Sequence, residues 1–241
     1  MLKKPKKSIH EIQQIFDQVN GRYRLGNLLI SGGTIAYTRR QAIRALPKLS
    51  NYDWILDVAC GPGDLARSIS DTQRSNAAYR VVGLDLSTKM ITTAHKKNYK
   101  AVNGSRCLHL IRGNAFTLPF PDKTFKSVII GYGLRNLVPR RQALAEILRV
   151  TKKKGILVCL ETSHAVSFPS QLLQAIQFRH IVPIIGAILD LKKEYSYLSQ
   201  SIAGFPTPTE LKREMEDEGW INVRMWPLIG GTVMIHVAIR P

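Results

Sequence analysis

Short apolar runs alternate with amphipathic helical segments along most of the chain. Near-continuous apolar runs predict strands buried on both faces, and helices between such strands predict a parallel sheet covered on both sides. The predicted strands of this kind run from Trp54 to Ala59, Arg80 to Leu84, Cys107 to Arg112, Ser127 to Gly131 and Gly155 to Leu160. Two final strands, Asn222 to Leu228 and Thr232 to Ile239, are separated by Gly230-Gly231, which predicts an antiparallel C-terminal hairpin at the sheet edge. The pattern as a whole predicts an α/β fold with a doubly wound, mostly parallel seven-stranded sheet.

Polar capping residues mark where the helices begin. Ser8 with Glu11 forms a capping box, and apolar residues then recur at helical spacing to about Val19. Further helices are predicted from about Thr34 to Leu46, from about Asp64, after Ser87, from Pro139 to Thr151, and from the capping box Thr207-Pro208-Thr209-Glu210 to Gly219. Residues 167–203 read as apolar helices interrupted by prolines. We therefore expect one domain over residues 1–241, with N-terminal helices in residues 1–50 and a helical insertion at residues 164–206.

One stretch points to a ligand site. The first predicted strand ends in the turn Cys60-Gly61-Pro62-Gly63-Asp64, and the second ends in Asp85, 22 residues beyond Gly63. The carboxyl ends of neighbouring parallel strands meet at one edge of a sheet, where a glycine turn and a carboxylate together make a nucleoside site. The sequence therefore predicts a Rossmann-like fold with its ligand at this edge.

The same turn satisfies the GxGxxA pattern of dinucleotide-binding proteins, but two residues argue against a dinucleotide. Pro62 removes a backbone N–H from the turn that would hold a pyrophosphate. Asp57 puts a carboxylate in the preceding strand, where it repels phosphate and attracts a sulfonium or ammonium group. The site therefore favours S-adenosylmethionine, with Asp85 accepting hydrogen bonds from the ribose and the backbone from Ala59 to Gly63 holding the methionine part. The alternative is that Asp57 caps a loop and Asp85 begins a turn.

Later segments resemble a known family, the ubiquinone/menaquinone biosynthesis C-methyltransferases. The segment from Asn114 to Phe125 is similar to the family's N-A-x-x-LPFPDxTF, and Gly131-Tyr132-Gly133-Leu134-Arg135-Asn136 is similar to its F-GLRN. Leu160-Glu161-Thr162-Ser163 resembles LEFS, and Phe16-Asp17-Gln18-Val19-Asn20 is similar to YDxMN. The resemblance also takes in Arg179-His180-Ile181-Val182-Pro183, Tyr195-Ser196-Tyr197-Leu198 and Gly230-Gly231-Thr232-Val233. It therefore covers nearly the whole chain and is to the demethylmenaquinone methyltransferase type.

The resemblance implies S-adenosylmethionine as the cofactor and a polyprenylated quinol as the substrate, with no metal site. Asn114 is expected to pair with the adenine edge, and Gly131 to let the cofactor approach the backbone. The residues assigned to the cofactor are Asp57, Ala59, Gly61, Pro62, Gly63, Asp85, Leu86, Asn114, Ala115 and Gly131.

The family's reaction methylates a ring carbon of the quinol, which becomes nucleophilic when the adjacent hydroxyl loses its proton. We expect Arg135 and Asn136, at the end of the fourth strand, to face the ring and stabilise the oxyanion. Water or His180 is expected to take the proton. The alternatives are a structural salt bridge for Arg135 and a packing role for His180. The insertion at 164–206 is expected either to form an apolar lid for the isoprenoid tail or to be ordinary core helix.

The charge of the chain adds candidate partners. A net charge of +18 over 241 residues suits phosphate-bearing surfaces, either nucleic acid or anionic lipid. Aromatic residues make up only 7% of the chain and are not interleaved with the basic residues, so we expect no nucleic acid. Apolar residues of the insertion beside Lys192 and Lys193, together with a basic N-terminus, predict peripheral attachment to anionic membranes.

Other sequence features indicate where in the cell the protein lies, and two alternative functions remain. The longest apolar stretch, Ile181 to Leu189, is far shorter than the ~20 residues that span a bilayer. Cys60, Cys107 and Cys159 lack metal-ligand spacing, so reduced thiols and a cytoplasmic protein are expected. A methyltransferase acting on a sterol or polyketide and an RNA-binding methyltransferase remain alternatives, and a homodimer is left open.

Overall fold

The computed structural model describes residues 8–19, 28–50, 52–71, 79–99, 108–165 and 168–241. The strands are β1 (Trp54–Val58), β2 (Arg80–Asp85), β3 (Leu108–Arg112), β4 (Phe125–Gly131), β5 (Thr151–Thr162), β6 (Ile221–Leu228) and β7 (Val233–Ile239). The helices are α1 (Ile9–Val19), α2 (Ile35–Arg44), α3 (Asp64–Asp71), α4 (Thr88–Tyr99), α5 (Arg140–Val150), α6 (Phe168–Ile176), α7 (Val182–Ile188), α8 (Lys192–Ala203) and α9 (Pro208–Asp217). Residues 28–31 are also helical. Two 3₁₀ turns (Leu134–Asn136 and Ile229–Gly231) and a π-helical segment between α6 and α7 (Gln177–Ile181) complete the described elements.

All these strands belong to one sheet, in the order β3-β2-β1-β4-β5-β7-β6. Neighbouring strands from β3 to β5 are parallel, whereas β7 runs antiparallel to β5 and β6 antiparallel to β7. The strand order therefore reverses between β1 and β4, which pair directly. Such a reversal opens a crevice at the carboxyl ends of the two strands. The predicted fold, a mostly parallel doubly wound sheet closed by an antiparallel hairpin, is confirmed.

The predicted boundaries differ from the structure where the backbone turns. Strand β1 stops at Val58 because Ala59 has a φ of 53°, in the left-handed region, which turns the chain away from the extended direction of the strand. Strand β5 begins at Thr151 instead of Gly155. Cys107, predicted to begin the third strand, lies outside the described residues.

Alternate residues of the central strand β1 enter two different apolar clusters. Leu56 and Val58 pack in the cluster that holds Leu144 of α5 and Met215 of α9. Ile55 belongs instead to the cluster formed with α2 and α3. Both clusters consist of buried side chains, so the sheet is covered on each face, as near-continuous apolar strands require.

One close backbone approach positions the loops at the crevice. A Cβ added to Gly133, just after β4, would lie 2.8 Å from the Cβ of Ala59, just after β1. Real Cβ atoms do not approach so closely, so a glycine at 133 is what allows the two loops to touch. The wall of the crevice is therefore set by a contact between the ends of the two central strands.

Helix α9 begins with the predicted capping box. Thr207 Oγ1 accepts a hydrogen bond from the Glu210 N–H at 3.3 Å, and Glu210 Oε2 accepts one from the Thr207 N–H at 2.8 Å. The helix then buries Leu211 and Met215 completely in the main core cluster. The cap thus fixes the start of a helix whose apolar face completes the core.

We expect Thr207→Ala to lower the free energy of unfolding by about 1 kcal/mol, the usual cost of losing a threonine cap, and the melting temperature by about 2–4 °C. Thr209→Ala is the matched control, because Thr209 is exposed in the first turn of the same helix and its side chain makes no hydrogen bond to another described residue. Differential scanning calorimetry compares the two variants. Equal melting temperatures for both would show that the cap contributes nothing.

Candidate active site

A small cavity of about 100 Å³ lies at the carboxyl ends of β1, β2 and β4. Seven of the ten residues assigned to the cofactor line it: Ala59, Gly61, Asp85, Leu86, Asn114, Ala115 and Gly131. Asp57, Pro62 and Gly63 are buried and are not among its lining residues. The glycine turn and the second-strand carboxylate therefore meet at one cavity, as the sequence predicts.

Asp85 is held in place by two backbone groups. Its Oδ2 accepts a hydrogen bond from the Gly61 N–H at 2.8 Å, and its Oδ1 accepts one from the Ser87 N–H at 2.9 Å. Gly61 can offer its N–H because it has a φ of 54°, which places the turn in the left-handed region. Burial raises the pKa of Asp85, and these two hydrogen bonds oppose that rise. Each carboxylate oxygen can still accept a further hydrogen bond, so the group suits a vicinal diol.

Asn114 follows β3 and lines the same cavity. Its Oδ1 accepts a hydrogen bond from the Phe116 N–H at 3.0 Å. That bond fixes the orientation of the amide and leaves the Nδ2 group as the donor. A fixed donor of this kind matches the ring nitrogens of a purine edge.

Asp57 is a buried carboxylate without a compensating bond. Its side chain is in β1 and 1% exposed, and neither oxygen has a hydrogen-bond partner among the described residues. Burial raises the pKa of Asp57 to about 8, and attraction to the Arg39 guanidinium and to the Ala66 backbone N–H offsets only part of that rise. With a pKa of about 8 the carboxyl group is mostly protonated at neutral pH, and a cation bound nearby would favour its ionised form.

Helix α1 forms part of the wall of the small cavity through Ile12, Gln13 and Phe16. It is tied to the start of α4 by a short hydrogen bond from Ser87 Oγ to Asp17 Oδ1. Ser87 Oγ in turn accepts a hydrogen bond from the Met90 N–H at 3.0 Å, which confirms Ser87 as the N-cap. Periodicity predicts only that this helix lies on the main domain, and the similarity of Phe16 to Asn20 to the family's YDxMN gave these residues no role at the site.

A second, larger cavity of about 220 Å³ adjoins the first. Its walls come from α1, the segment 28–35, the end of β4, the end of β5, and the helices of the insertion. Phe16, Tyr132 and Asn136 line both cavities. The two spaces therefore meet at these three residues, which we call the junction.

Arg135 lines the larger cavity and is engaged in a buried ion pair. Its Nη1 donates to Glu161 Oε1 at 2.5 Å and to the Tyr132 carbonyl at 2.7 Å. Glu161 is 1% exposed, and its Oε2 accepts the Arg135 backbone N–H at 3.2 Å. The salt bridge that the sequence left as an alternative is present, and the guanidinium still reaches the cavity wall.

Asn136 and Tyr132 set the polar groups of the junction. Asn136 Oδ1 accepts a hydrogen bond from the Tyr197 hydroxyl at 3.0 Å, which links the end of β4 to α8. The Tyr132 hydroxyl bonds Thr38 of α2 at 2.7 Å, and burial raises the pKa of Tyr132 to about 12. Tyr132 has a φ of 60°, so the chain makes a tight turn here.

The structure does not bring His180 to the site. This residue lies in the π-helical segment, is exposed, and is not among the described residues that line either cavity. Neither a proton transfer nor a core packing role fits that position. An isolated histidine in an apolar helix gives no signal of the face on which it lies.

Sequence reasoning assigned no role to Glu161, Tyr132 or Tyr197. Each lies inside a segment that carries the family resemblance. These segments indicated the family but not the role of the individual side chains. Burial of Glu161 and the Tyr197 to Asn136 bond depend on contacts between distant parts of the chain, which periodicity does not report.

Comparison with known sequences gives a clear result. A profile of the ubiE/COQ5 methyltransferase family matches residues 3–240. The chain is 32% identical over 231 residues to demethylmenaquinone methyltransferase of Bacillus cytotoxicus, covering 95% of each protein. It is also 32% identical over 231 residues to the protein of that name from Staphylococcus aureus, covering 95% of this chain and 93% of the relative.

Solved structures share the fold at low sequence identity. An S-adenosylmethionine-dependent methyltransferase from Thermotoga maritima superposes with a TM-score of 0.67 at 16% identity, covering 95% of this chain and all of that one (100%). Phosphoethanolamine N-methyltransferase 2 from Haemonchus contortus, solved with S-adenosylhomocysteine, gives a TM-score of 0.68 at 13% identity, covering 99% of this chain and 61% of that one. The fold agrees with the sequence match over nearly the full length, and the chain belongs to the ubiE/COQ5 methyltransferase family.

Proposed function

We propose that this protein is an S-adenosylmethionine-dependent C-methyltransferase that converts demethylmenaquinol to menaquinol in respiratory quinone biosynthesis. The observation that carries the proposal is the junction, where a cavity with a diol-binding carboxylate meets a larger, mostly apolar cavity. The curated relatives with 32% identity over nearly the whole chain carry the name of this activity.

The residues of the small cavity fit S-adenosylmethionine. In this proposal Asp85 accepts hydrogen bonds from the ribose hydroxyls and Asn114 donates to the adenine edge, which is supported by their position on the cavity wall and by the backbone bonds that orient them. The buried Asp57 carboxyl group ionises when a cation binds nearby, which suits the ammonium and sulfonium groups. When bound, the cofactor supplies an electrophilic methyl group. The task of the protein is to hold the quinol ring in line with it.

Residues of the larger cavity suit an aromatic diol. The Asn136 amide, the Tyr197 hydroxyl and the Arg135 guanidinium converge on the end of β4, beside the junction. Hydrogen bonds from the Asn136 Nδ2 group and the Arg135 guanidinium stabilise a phenolate better than a phenol, which favours attack by the adjacent ring carbon, and the Tyr197 hydroxyl orients the amide by donating to Asn136 Oδ1. Arg135 acts here as an electrostatic group whose charge is balanced by Glu161.

The apolar part of the larger cavity suits an isoprenoid tail. Its lining includes Ile15, Ile30, Phe178, Leu198 and Ile202, contributed by α1, the segment 28–31 and the insertion. The insertion at residues 164–206 acts as the substrate lid in this proposal, within a single methyltransferase domain.

Among the residues that the structure describes, no helix is long and apolar enough to cross a bilayer. The insertion nevertheless exposes a set of large apolar side chains: Phe168, Leu172, Leu173, Ile176, Ile181, Ile184 and Ile188, each between 44% and 78% exposed. Arg179, Lys192 and Lys193 are exposed in the same segment. Apolar and basic groups together suit peripheral attachment to an anionic membrane, where the quinol resides.

Asp57 makes stability depend on pH in a defined direction. Its pKa is about 8 in the folded protein and 3.8 in the unfolded chain, so the folded state binds an extra proton between these values. The contribution of Asp57 to the free energy of unfolding is therefore present in full below pH 3.8 and is lost as the pH rises towards 8. We expect the unfolding free energy of the wild type to fall relative to that of Asp57→Asn between pH 5 and 8, by at most about 1.4 kcal/mol per pH unit.

Urea unfolding at several pH values measures this difference, and calorimetry in buffers of different ionisation enthalpy adds a second readout. Binding of S-adenosylmethionine at pH 7 should release a proton from Asp57 in the wild type, because a bound cation favours the ionised carboxylate. No such proton should be released from Asp57→Asn. Asp190→Asn is the matched control, since Asp190 is exposed. If the unfolding free energies of the wild type and Asp57→Asn change in parallel between pH 5 and 8, the role of Asp57 is refuted.

Purified protein should methylate chemically reduced demethylmenaquinol with labelled S-adenosylmethionine, in preference to demethylated benzoquinols, sterols or polyketides. Arg135→Lys should lower kcat by about 100-fold, because an ammonium group cannot reproduce the fixed fork of the guanidinium. Its affinity for S-adenosylmethionine should stay within about twofold, since Arg135 does not line the small cavity.

Lysine keeps the positive charge beside Glu161, whereas alanine at position 135 would leave that carboxylate buried and unpaired. Absence of turnover on every quinol would remove the proposed function. Wild-type kcat in Arg135→Lys would remove only the role of Arg135.

Flotation with vesicles of phosphatidylglycerol and phosphatidylcholine should recover the wild type at low salt. Leu173→Ser combined with Ile188→Ser should lose most of this binding, because each change removes exposed apolar surface. Ile221→Ser on β6 is the control for loss of an exposed apolar side chain elsewhere. If the double variant floats with the vesicles as well as the wild type does, attachment through the insertion is contradicted. If a second copy of the chain covers the apolar face of the insertion instead, the protein sediments as a dimer.

A further inference from the structure

Helix α8 presents one continuous face to the larger cavity. The residues on this face are Glu194, Tyr195, Tyr197, Leu198, Ser201 and Ile202. Their spacing of three and four residues is that of a single helical stripe. The helix packs against α1, α7 and the 3₁₀ turn that holds Arg135 and Asn136. A charged residue on this stripe therefore lies within the wall of the cavity and not on the outer surface.

Glu194 is the carboxylate on that stripe. It is 9% exposed, and no hydrogen bond or ion pair joins its side chain to another described residue. A carboxylate buried to this extent is normally paired, because water no longer solvates it fully. This one instead borders the larger cavity, the proposed space for the quinol.

The other titratable groups of the larger cavity cannot take its place. Among the described lining residues these are Arg135 and the tyrosines Tyr132, Tyr195 and Tyr197. Burial raises the pKa of each tyrosine, so these phenols stay protonated near neutral pH. Arg135 is cationic and paired with Glu161. No histidine is among the described residues that line the cavity.

Glu194 also lies close to the junction along the helix. It precedes Tyr197 by three residues, about one turn or ~5 Å along the axis, and Tyr197 bonds Asn136 at the junction. It is in the first turn of α8. A carboxylate one turn from the phenol-binding groups is placed to accept a proton from a ring hydroxyl.

We propose that Glu194 is the general base of the methyl transfer, an inference that rests on the proposed function. Glu194 takes the proton of the hydroxyl next to the ring carbon to be methylated. That carbon forms a bond to the methyl carbon, and the carbon–sulfur bond breaks with its electron pair left on sulfur. The ring carbon then loses its hydrogen as a proton to water, Glu194 returns its proton to the oxygen, and the aromatic quinol is restored. One proton is released per turnover.

The test compares Glu194→Gln with the wild type on reduced demethylmenaquinol. Glutamine has nearly the same shape but cannot accept the proton, so kcat should fall by about 10²- to 10⁴-fold with KM changed much less. A quinol made more acidic by fluorine on its ring should be methylated by Glu194→Gln with a smaller deficit relative to the wild type, because its hydroxyl ionises without help. Glu216→Gln, on an exposed part of α9, is the matched control.

The outcomes separate this inference from its alternatives. If Glu194 only stabilised the start of α8, the variant would melt at a lower temperature and show the same deficit with both quinols, and the inference would fail. Wild-type kcat in Glu194→Gln would also overturn it. Failure of the wild type itself to methylate any quinol would instead overturn the proposed function. Unchanged affinity for S-adenosylhomocysteine in the variant shows that the small cavity is intact.

Discussion

The direct parallel pairing of β1 with β4 is the constraint on which the site depends. Strand order reverses at this pair, so the ends of both strands open onto the same crevice. The turn after β1 brings Gly61 to Asp85, and the turn after β4 brings Tyr132, Arg135 and Asn136 to the adjoining space. The contact between Gly133 and Ala59 then fixes how far apart the two turns lie. Both cavities thus follow from one feature of sheet topology.

The ion pair of Arg135 with Glu161 shows how the fold holds a charged group beside an apolar cavity. Two isolated buried charges would each cost several kcal/mol, whereas a paired set with backbone hydrogen bonds is tolerated. Here Glu161 accepts both the side chain and the backbone N–H of Arg135, and its Oε1 also accepts the Thr162 N–H at 2.9 Å. The guanidinium therefore has a fixed position before any ligand arrives, which is what electrostatic stabilisation of an oxyanion requires.

Local patterns in the sequence predicted the parts of the structure that depend on local chemistry. Apolar runs, capping boxes and the glycine turn gave the strands, the starts of α1 and α9, and the position of Asp85. Side chains whose role depends on distant contacts were not predictable in this way. Glu194 and His180 both lie in the insertion, yet Glu194 is buried in the cavity wall on α8, which packs against the 3₁₀ turn, and His180 is exposed on the π-helical segment.

Phe16, Tyr132 and Asn136 belong to the walls of both cavities, which limits how the sequence can change. A substitution at any of the three alters the space for the nucleoside and the space for the second ligand together. Mutations that adapt the protein to a different ring therefore cannot be neutral for the methyl donor at these positions. Divergence of substrate choice is easier at residues such as Ile30, Phe178 and Ile202, which border the larger cavity alone.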